Sequence, residues 1–484
     1  MPKPKPQKAR LERSTFITSR QLEYFSRDEL GKQIGHDIEL WPLAITKELI
    51  DNALDACEAI PVPPQITLTV EGDRISVADN AGAGLPETTL KDSQNYAVTV
   101  SNKAHYKSPL RGRQGNALKT VWAAPFVFNG GSEGGGEGRI EVVTPSYAVE
   151  VLASLNRIAQ EPRLTMNAIE RELVKNGSVV TVEWRRRIAG YSEDDEENEE
   201  RRDFYKMALN LLKSYAIFNP HAGFTLCGNG QTVEVAKPLI EDWKKWLPSE
   251  PTSPHWYDVD ALCNLIGAKI TNGHGQQTVR EFVSEFRHLS GTGKQKSVVA
   301  AADLERLRLD DLTTNEGTEI NSAAVERLLK AMCAESKPVK AKQLGVIGKE
   351  ALTTRLVEIE GVNAEGVQYF IDCEEGREPA VIEIAFGVRQ VEEATSTEDA
   401  SKFLYDMFFS DLENTEYVPS DGRSLRYGLN FSPAIKCPFT FVPYELQRLM
   451  VESTDPICAV IHAASAHIQF SDRGKSAVSG GDEG

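Results

Sequence analysis

Long apolar runs are missing from the 484 residues, and without a stretch of about 18 no helix can span a membrane. The basic start, MPKPKPQKARLERS, has no apolar core and does not read as a secretory signal. Cysteine is scarce. Seven residues are scattered from Cys57 to Cys458, with no CxxC pair and no histidine-rich spacing. An odd, dispersed set predicts buried thiols in a reducing cytoplasm and excludes a disulfide frame or a zinc site. Excess positive charge is lacking too. A net charge of −17 argues against a surface coated with nucleic acid, although it leaves a local basic groove open. What remains is an ordinary globular composition, 40% hydrophobic and 26% charged, long enough for several cores.

The stretch WPLAITKELIDNALDACEAI, residues 41–60, is the most structured signal. At 100° per residue Glu48, Asp51, Asn52 and Asp55 share one face of a helix, and Leu49, Ile50, Ala53, Leu54 and Cys57 line the other. Pro42 suits the first turn. Taken alone this is an amphipathic helix with a solvated acidic face. Yet no Lys or Arg follows Lys47 on that face, so the carboxylates crowd together, and such a face either repels itself or holds a metal ion.

Along the chain, residues 20–30 have a short helical pattern behind a basic arm. QITLTVEG (65–72) and DRISVAD (73–79) alternate as a hairpin, which runs into Asn80-Ala81-Gly82-Ala83-Gly84. A glycine-rich turn after a strand permits close backbone approach, or is a plain turn. Residues 86–110 read as a long loop carrying Ser101, Lys103, His105 and Lys107. The loop ends in RGRQGNALKT (111–120), where glycines precede a helix start whose free N–H groups would face an anion. The GK[ST] ending of a Walker A loop is missing. Strands are expected at VWAAPFVF, RIEVVT, AVEVLAS and SVVTVEW, with a helical segment at 167–175. A helix over 203–218 and a hairpin at FTLCGNGQTVEVA follow. Residues 248–254 read as a linker, 255–345 as helical, and KPVKAK (337–342) as a second linker. The last block alternates again at GVQYFIDCEE, AVIEIAFGV, SKFLYDMFF and ICAVIHAASAHIQF.

The order of these motifs is more specific than any one of them. An ExxxNxxD helix, a strand entering an aspartate-plus-glycine turn, a long loop and a GxxG at a helix start resemble the Bergerat-fold (GHKL) ATPases. KELIDNALDACE, the spacing from Lys103 to Gly112, Asn219-Pro220-His221-Ala222 and HAASAHIQFSDRGKSAVS resemble the topoisomerase VI B subunit in particular. The resemblance implies an α+β chain in four parts. These are an N-terminal arm at 1–30, an ATPase α/β sandwich at 31–248, a helix-two-turn-helix-like domain at 249–345 and a transducer-like α/β domain at 346–484. It also implies ATP and Mg²⁺ as ligands.

By the same resemblance Glu48 is the general base, Asn52 the Mg²⁺ ligand and Asp55 its support, which leaves Asp51 an ordinary surface carboxylate. Asp79 accepts the adenine amino group, with Gly82 and Gly84 letting the backbone approach the base. Ser178 stands beside that aspartate. Gly112, Arg113, Gln114, Gly115, Asn116 and Ala117 wrap the phosphates, Ser101 and Lys103 belong to the lid, and Lys475 is the switch lysine that reaches the γ-phosphate. Two departures stand out. Asp79 and Gly82 are separated by one residue more than the family's DxGxG allows, and GNALKT replaces the usual phosphate-loop ending.

The function implied is a cytoplasmic ATPase subunit, nucleoid-associated when on DNA. ATP closes a homodimeric gate on duplex DNA and hydrolysis reopens it, with a TOPRIM-containing A-type subunit as cutting partner. The family's long docking helix is expected after Lys475, where this chain ends in VSGGDEG, so a MutL- or MORC-like clamp in genome maintenance or defence is the alternative. A histidine kinase is disfavoured, because no phosphoacceptor helix precedes the nucleotide motifs.

Overall fold

Eight strands form one sheet: β1 (Gln65–Glu71), β2 (Arg74–Ala78), β3 (Gly138–Val143), β4 (Ala148–Asn156), β5 (Glu161–Ala168), β6 (Val179–Glu183), β7 (Gly223–Gly228) and β8 (Gln231–Ala236). Their order is β5-β4-β3-β6-β2-β1-β7-β8, and β1–β7 is the one parallel pair. This computed structural model describes residues 24–60, 62–96, 106–111, 117–131, 136–156, 161–184, 204–390, 422–468 and 478.

Period-two alternation gives the sheet two unlike faces. Ile66, Leu68, Ile75, Val77, Ile140, Val142, Val151 and Leu226 point inward. They are covered by α2 (Trp41–Glu58), α4 (Ala117–Phe128) and α5 (Phe204–Phe218), with α1 (Arg27–Ile34) and α3 (Glu87–Asp92) at the margin. The opposite face is polar. Arg74 bridges Glu141 at 2.9 Å and Glu183 at 3.4 Å, and Arg171 reaches Glu141 at 2.9 Å. Ser76 and Thr181, directly paired across strands, are 2.8 Å apart.

The helical block holds α6 (Val259–Lys269), α7 (Val279–Ser284), α8 (Thr292–Ala301) and α9 (Ser322–Glu335), with a small ladder of β9 (Thr313–Thr314) and β10 (Glu319–Ile320). Its starts are written locally. The Ala261 N–H donates to Asp258 at 2.7 Å, and Thr278 and Glu281 form a reciprocal capping box. After α10 (Lys349–Glu360), a second sheet follows in the order β11-β12-β15-β13-β14. It is built from β11 (Gln368–Glu374), β12 (Ala380–Val388), β13 (Ser424–Leu429), β14 (Ser432–Pro433) and β15 (Ile457–Ser465), with α11 (Val442–Arg448) between the last two. One apolar cluster takes in the helical block, α10 and this sheet together.

Four expectations need correction. VWAAPFVF is the body of α4, not a strand. Val121, Trp122, Ala123 and Ala124 are all fully buried, and an all-round apolar run has no period by which to tell helix from strand. The helix expected at 167–175 is absent. Its first residues finish β5, held against β4 from Val149–Ala168 to Asn156–Glu161, and pairing overrides propensity. The loop expected at 86–110 opens with α3, anchored by the buried Leu90. Both supposed linkers are packed: Thr252, Ser253, Val339 and Ala341 are buried, and the Thr252 hydroxyl donates to the Lys107 carbonyl at 2.7 Å. SKFLYDMFF lies outside the described residues.

Leu54, fully buried on the inner face of α2, tests this packing. Leu54→Ala should lower unfolding free energy by about 2–5 kcal/mol in urea titration, since transfer and cavity costs add.

Candidate functional site

On α2 the chain separates its acidic residues by depth. Asn52 is exposed, Glu48 half-buried and Asp55 largely covered. Asp51 corrects an expectation: it is buried, not a surface carboxylate. Lys47, one turn earlier, approaches it at 3.0 Å, and the Tyr215 and Ser432 hydroxyls donate to it at 2.8 and 2.7 Å. Burial alone would raise its carboxyl. The Lys47 and Arg111 charges, with the hydrogen bonds from Ser432 and Lys47, outweigh burial and hold it below the usual range.

The strand β2 delivers Asp79 to the near end of α2. The Ala81 N–H donates to the Asp79 carboxylate at 2.7 Å, and the Asp79 N–H donates to the Ser178 carbonyl at 3.0 Å. Ser178 in turn accepts from the Leu85 N–H at 2.7 Å. The structure therefore brings Asp79, Gly82, Gly84 and Ser178 together from segments about a hundred positions apart. Gly84 and Gly177 have φ of 74° and 72°, and a Cβ on either would run into the facing backbone carbonyl. Two turns this close need glycine. Asn80, within the lengthened turn, faces the other way: its side chain accepts from the Gln65 N–H at 2.9 Å and donates to the Pro63 carbonyl at 3.0 Å. Burial pushes the Asp79 carboxyl up, against the pull of the Ala81 and Ser178 N–H groups.

Ser101, Lys103, Gly112, Arg113, Gln114, Gly115, Asn116 and Lys475 lie outside the described residues, as does most of the N-terminal arm. Ala117 opens α4. Lys119, for which the sequence pattern suggested no role, follows one half-turn later. Its side chain is buried, its ammonium lies 5.8 Å from the Tyr96 ring centroid, and burial lowers its pKa.

The acidic face of α2 is neutralised by a residue 53 positions from Glu58. Arg111 sits immediately before the glycine loop and forks onto Glu58 with two bonds of 2.8 Å. It also reaches Asp55 at 3.0 Å and donates to Asn219. Lys245 closes on Glu58 at 2.6 Å, and His221 Nε2 lies 3.0 Å away. Burial raises the Glu58 carboxyl, but Arg111 and Lys245 hold it well below its ordinary value. The sequence offered two outcomes for crowded carboxylates, repulsion or a metal ion. The fold supplies a third, a buried guanidinium. Among the described residues no group of three His, Cys, Asp or Glu is arranged to hold a metal. An ion that arrives with a triphosphate asks less of the protein, one or two oxygens beside the phosphates. The exposed Asn52 amide fits that demand, and a half-buried acceptor at Asp79 against bare glycine backbone fits an adenine edge.

Lys245 gives this network a pH signature. Burial and then the Arg111 charge bring its ammonium from 10.5 to about 8. Between those values the unfolded chain holds more protons than the folded one, so stability rises with pH. Denaturant titrations of wild type and Lys245→Met should diverge across that window, with wild type gaining relative to the variant as pH rises; a constant difference would contradict the shift.

No family model matches the chain. In sequence it is 24% identical over 253 residues to the B subunit of type 2 DNA topoisomerase 6 from Archaeoglobus fulgidus, covering 50% of this chain and 37% of that protein. The same subunit from Methanosarcina acetivorans is 26% identical over 246 residues, covering 48% and 35%. The chain thus spans little more than a third of the length of these curated relatives. Among solved structures, the B subunit of DNA gyrase from Myxococcus xanthus covers 96% of this chain, and this chain 89% of it, with a TM-score of 0.34 and 9% identity. Across about half of its length, the chain is similar in sequence to the B subunits of type 2 DNA topoisomerase 6.

Proposed function

We propose that this chain binds ATP with Mg²⁺ against α2 and hydrolyses it, as the ATPase subunit of a topoisomerase VI-like, DNA-handling assembly. The observation that carries the reading is the convergence of Asp79, Gly84 and Ser178 beside a helix that exposes Asn52 and half-exposes Glu48. The sequence likeness supports it. The Mg²⁺–triphosphate supplies the phosphoryl group and the ion that offsets its charge. Glu48 accepts a proton from the attacking water. The Asn52 side-chain oxygen would hold the ion, with Asp55, tied to Arg111 at 3.0 Å, as its support. Asp79 accepts from the adenine amino group, and the bare backbone at Gly82 and Gly84 lets the base lie close. By the same likeness Gly112, Arg113, Gln114, Gly115, Asn116 and Ala117 would hold the phosphates, Ser101 and Lys103 would belong to a lid, and Lys475 would reach the γ-phosphate.

In this reading two protomers pair when ATP is bound, through the arm at 1–30, and part after hydrolysis. Duplex DNA passes the gate, and a TOPRIM-containing subunit cuts it. Among the described residues no helix is long and apolar enough to cross a membrane.

Glu48→Ala should retain ATP binding and lose at least about a hundredfold in turnover, the scale of a missing general base. Asn52→Ala should lose Mg²⁺-dependent affinity instead. Equilibrium nucleotide titration and steady-state phosphate release separate the two, and wild-type turnover in Glu48→Ala would remove Glu48 from the role. Sedimentation with a non-hydrolysable ATP analogue should shift the chain to a dimer; a monomer at saturating analogue would contradict the gate.

A further inference from the structure

The turn that joins β13 to β14 is strained and densely held. Leu429 pairs with Ser432, so Asn430 and Phe431 alone make the reversal, at φ of 49° and 68°. Asparagine tolerates such a conformation; a bulky phenylalanine rarely adopts it. Backbone strain of this kind persists only where the surroundings over-determine it. Here they do. The Asn430 N–H donates to the Ala463 carbonyl at 2.8 Å, and the Asn430 side chain accepts from the Ser465 N–H at 2.9 Å, both on β15. The Phe431 ring is fully buried, 4.6 Å from the His462 ring, 5.0 Å from Trp243 and 4.9 Å from the Lys245 ammonium. The Phe431 carbonyl accepts from Asn219, at the end of α5, at 2.9 Å. Ser432 donates to Asp51 at 2.7 Å.

Three consecutive residues thus touch the end of β15, the end of α5 and the middle of α2. Asp51 precedes Asn52 by one position and follows Glu48 by three. The link to it is polar, and a hydroxyl on a buried carboxylate is a strong, directional bond. Lys47 supplies the charge that counters Asp51, and the Ser432 hydroxyl adds a directional bond to the same carboxylate.

We propose that the Asn430–Ser432 turn is a strut that transmits displacement of α2 by bound nucleotide to the end of β15, and so to the second sheet. The strut rests on the nucleotide site proposed above. It runs through Asn430, Phe431 and Ser432, to which the nucleotide site proposed above gives no role. It makes Asn430 and Ser432 positioning residues: they act through Asp51 and touch no reacting atom.

Hydrogen exchange of the full chain, with and without a non-hydrolysable ATP analogue, tests it. In wild type the analogue should slow exchange in α2 and also in residues 457–465. In Ser432→Ala, analogue affinity and the α2 response should persist. The response at 457–465 should fall by about fivefold or more, the low end of a coupling between two sites. Asn430→Gly, which suits the positive φ, cuts the strut at its other end and should give the same loss; Ser432→Thr, which keeps the hydroxyl, should restore the response. An undiminished response at 457–465 in Ser432→Ala and Asn430→Gly would overturn the strut. So would a wild-type α2 response with none at 457–465. Failure of wild type to bind the analogue would instead overturn the nucleotide site.

Discussion

A single guanidinium, that of Arg111, decides whether α2 can lie where it does. The helix carries Asp51, Asp55 and Glu58 along one stripe, and all three are covered. Carboxylates taken out of water together cost several kcal/mol each unless cations come with them. Arg111, Lys47 and Lys245 bring three charges to balance three. Arg111 is the indispensable member, because its planar fork meets Glu58 with two parallel bonds and still reaches Asp55 and Asn219. It also fixes the residue from which the glycine loop departs. The arrangement orders the polypeptide as well as neutralising it: the loop at 112–116 starts from a point bolted to the helix that bears Glu48 and Asn52.

Local signals carried much of this into the sequence. The helix at 41–58 announced itself by periodicity, and the strand-into-glycine turn at Asp79 by alternation followed by Gly82 and Gly84. The meeting of Asp79 with Ser178 followed from the resemblance, since nothing in composition brings residues 79 and 178 together. What was not legible shares one cause. Arg111, Glu58, Asn219, Lys245 and Ser432 act only as a group assembled from five separated segments. Glu58 continues the Asp51–Asp55 stripe at helical spacing but lies beyond the ExxxNxxD motif. Its partner could not be named from the chain, because any of the 54 lysines and arginines could supply one. Asp51 was misjudged for the same reason, since its burial comes from Tyr215 and Ser432.

The opposite error, reading structure where the chain has another, arose at α4. Its residues are apolar on every side because it is covered on every side, and a strand buried on both faces has the same composition. The 167–175 segment failed in part through pairing: Asn167 and Ala168 join the β4 ladder, and the residues after them are irregular.

The stretches at 248–254, with three prolines, and 337–342, with one, look like joints. Ser253 and Ala341 are fully buried, Thr252 holds Lys107, and the Ala341 N–H is bonded to the Glu375 carboxylate at 3.1 Å. Neither stretch can bend without opening a core. The helical block and the second sheet share one apolar interior, and Ile217 and Phe218 at the end of α5 are part of it. The charged cluster around Glu58 therefore sits at the border of a continuous core, where α2, α5 and the second sheet bear on one another directly.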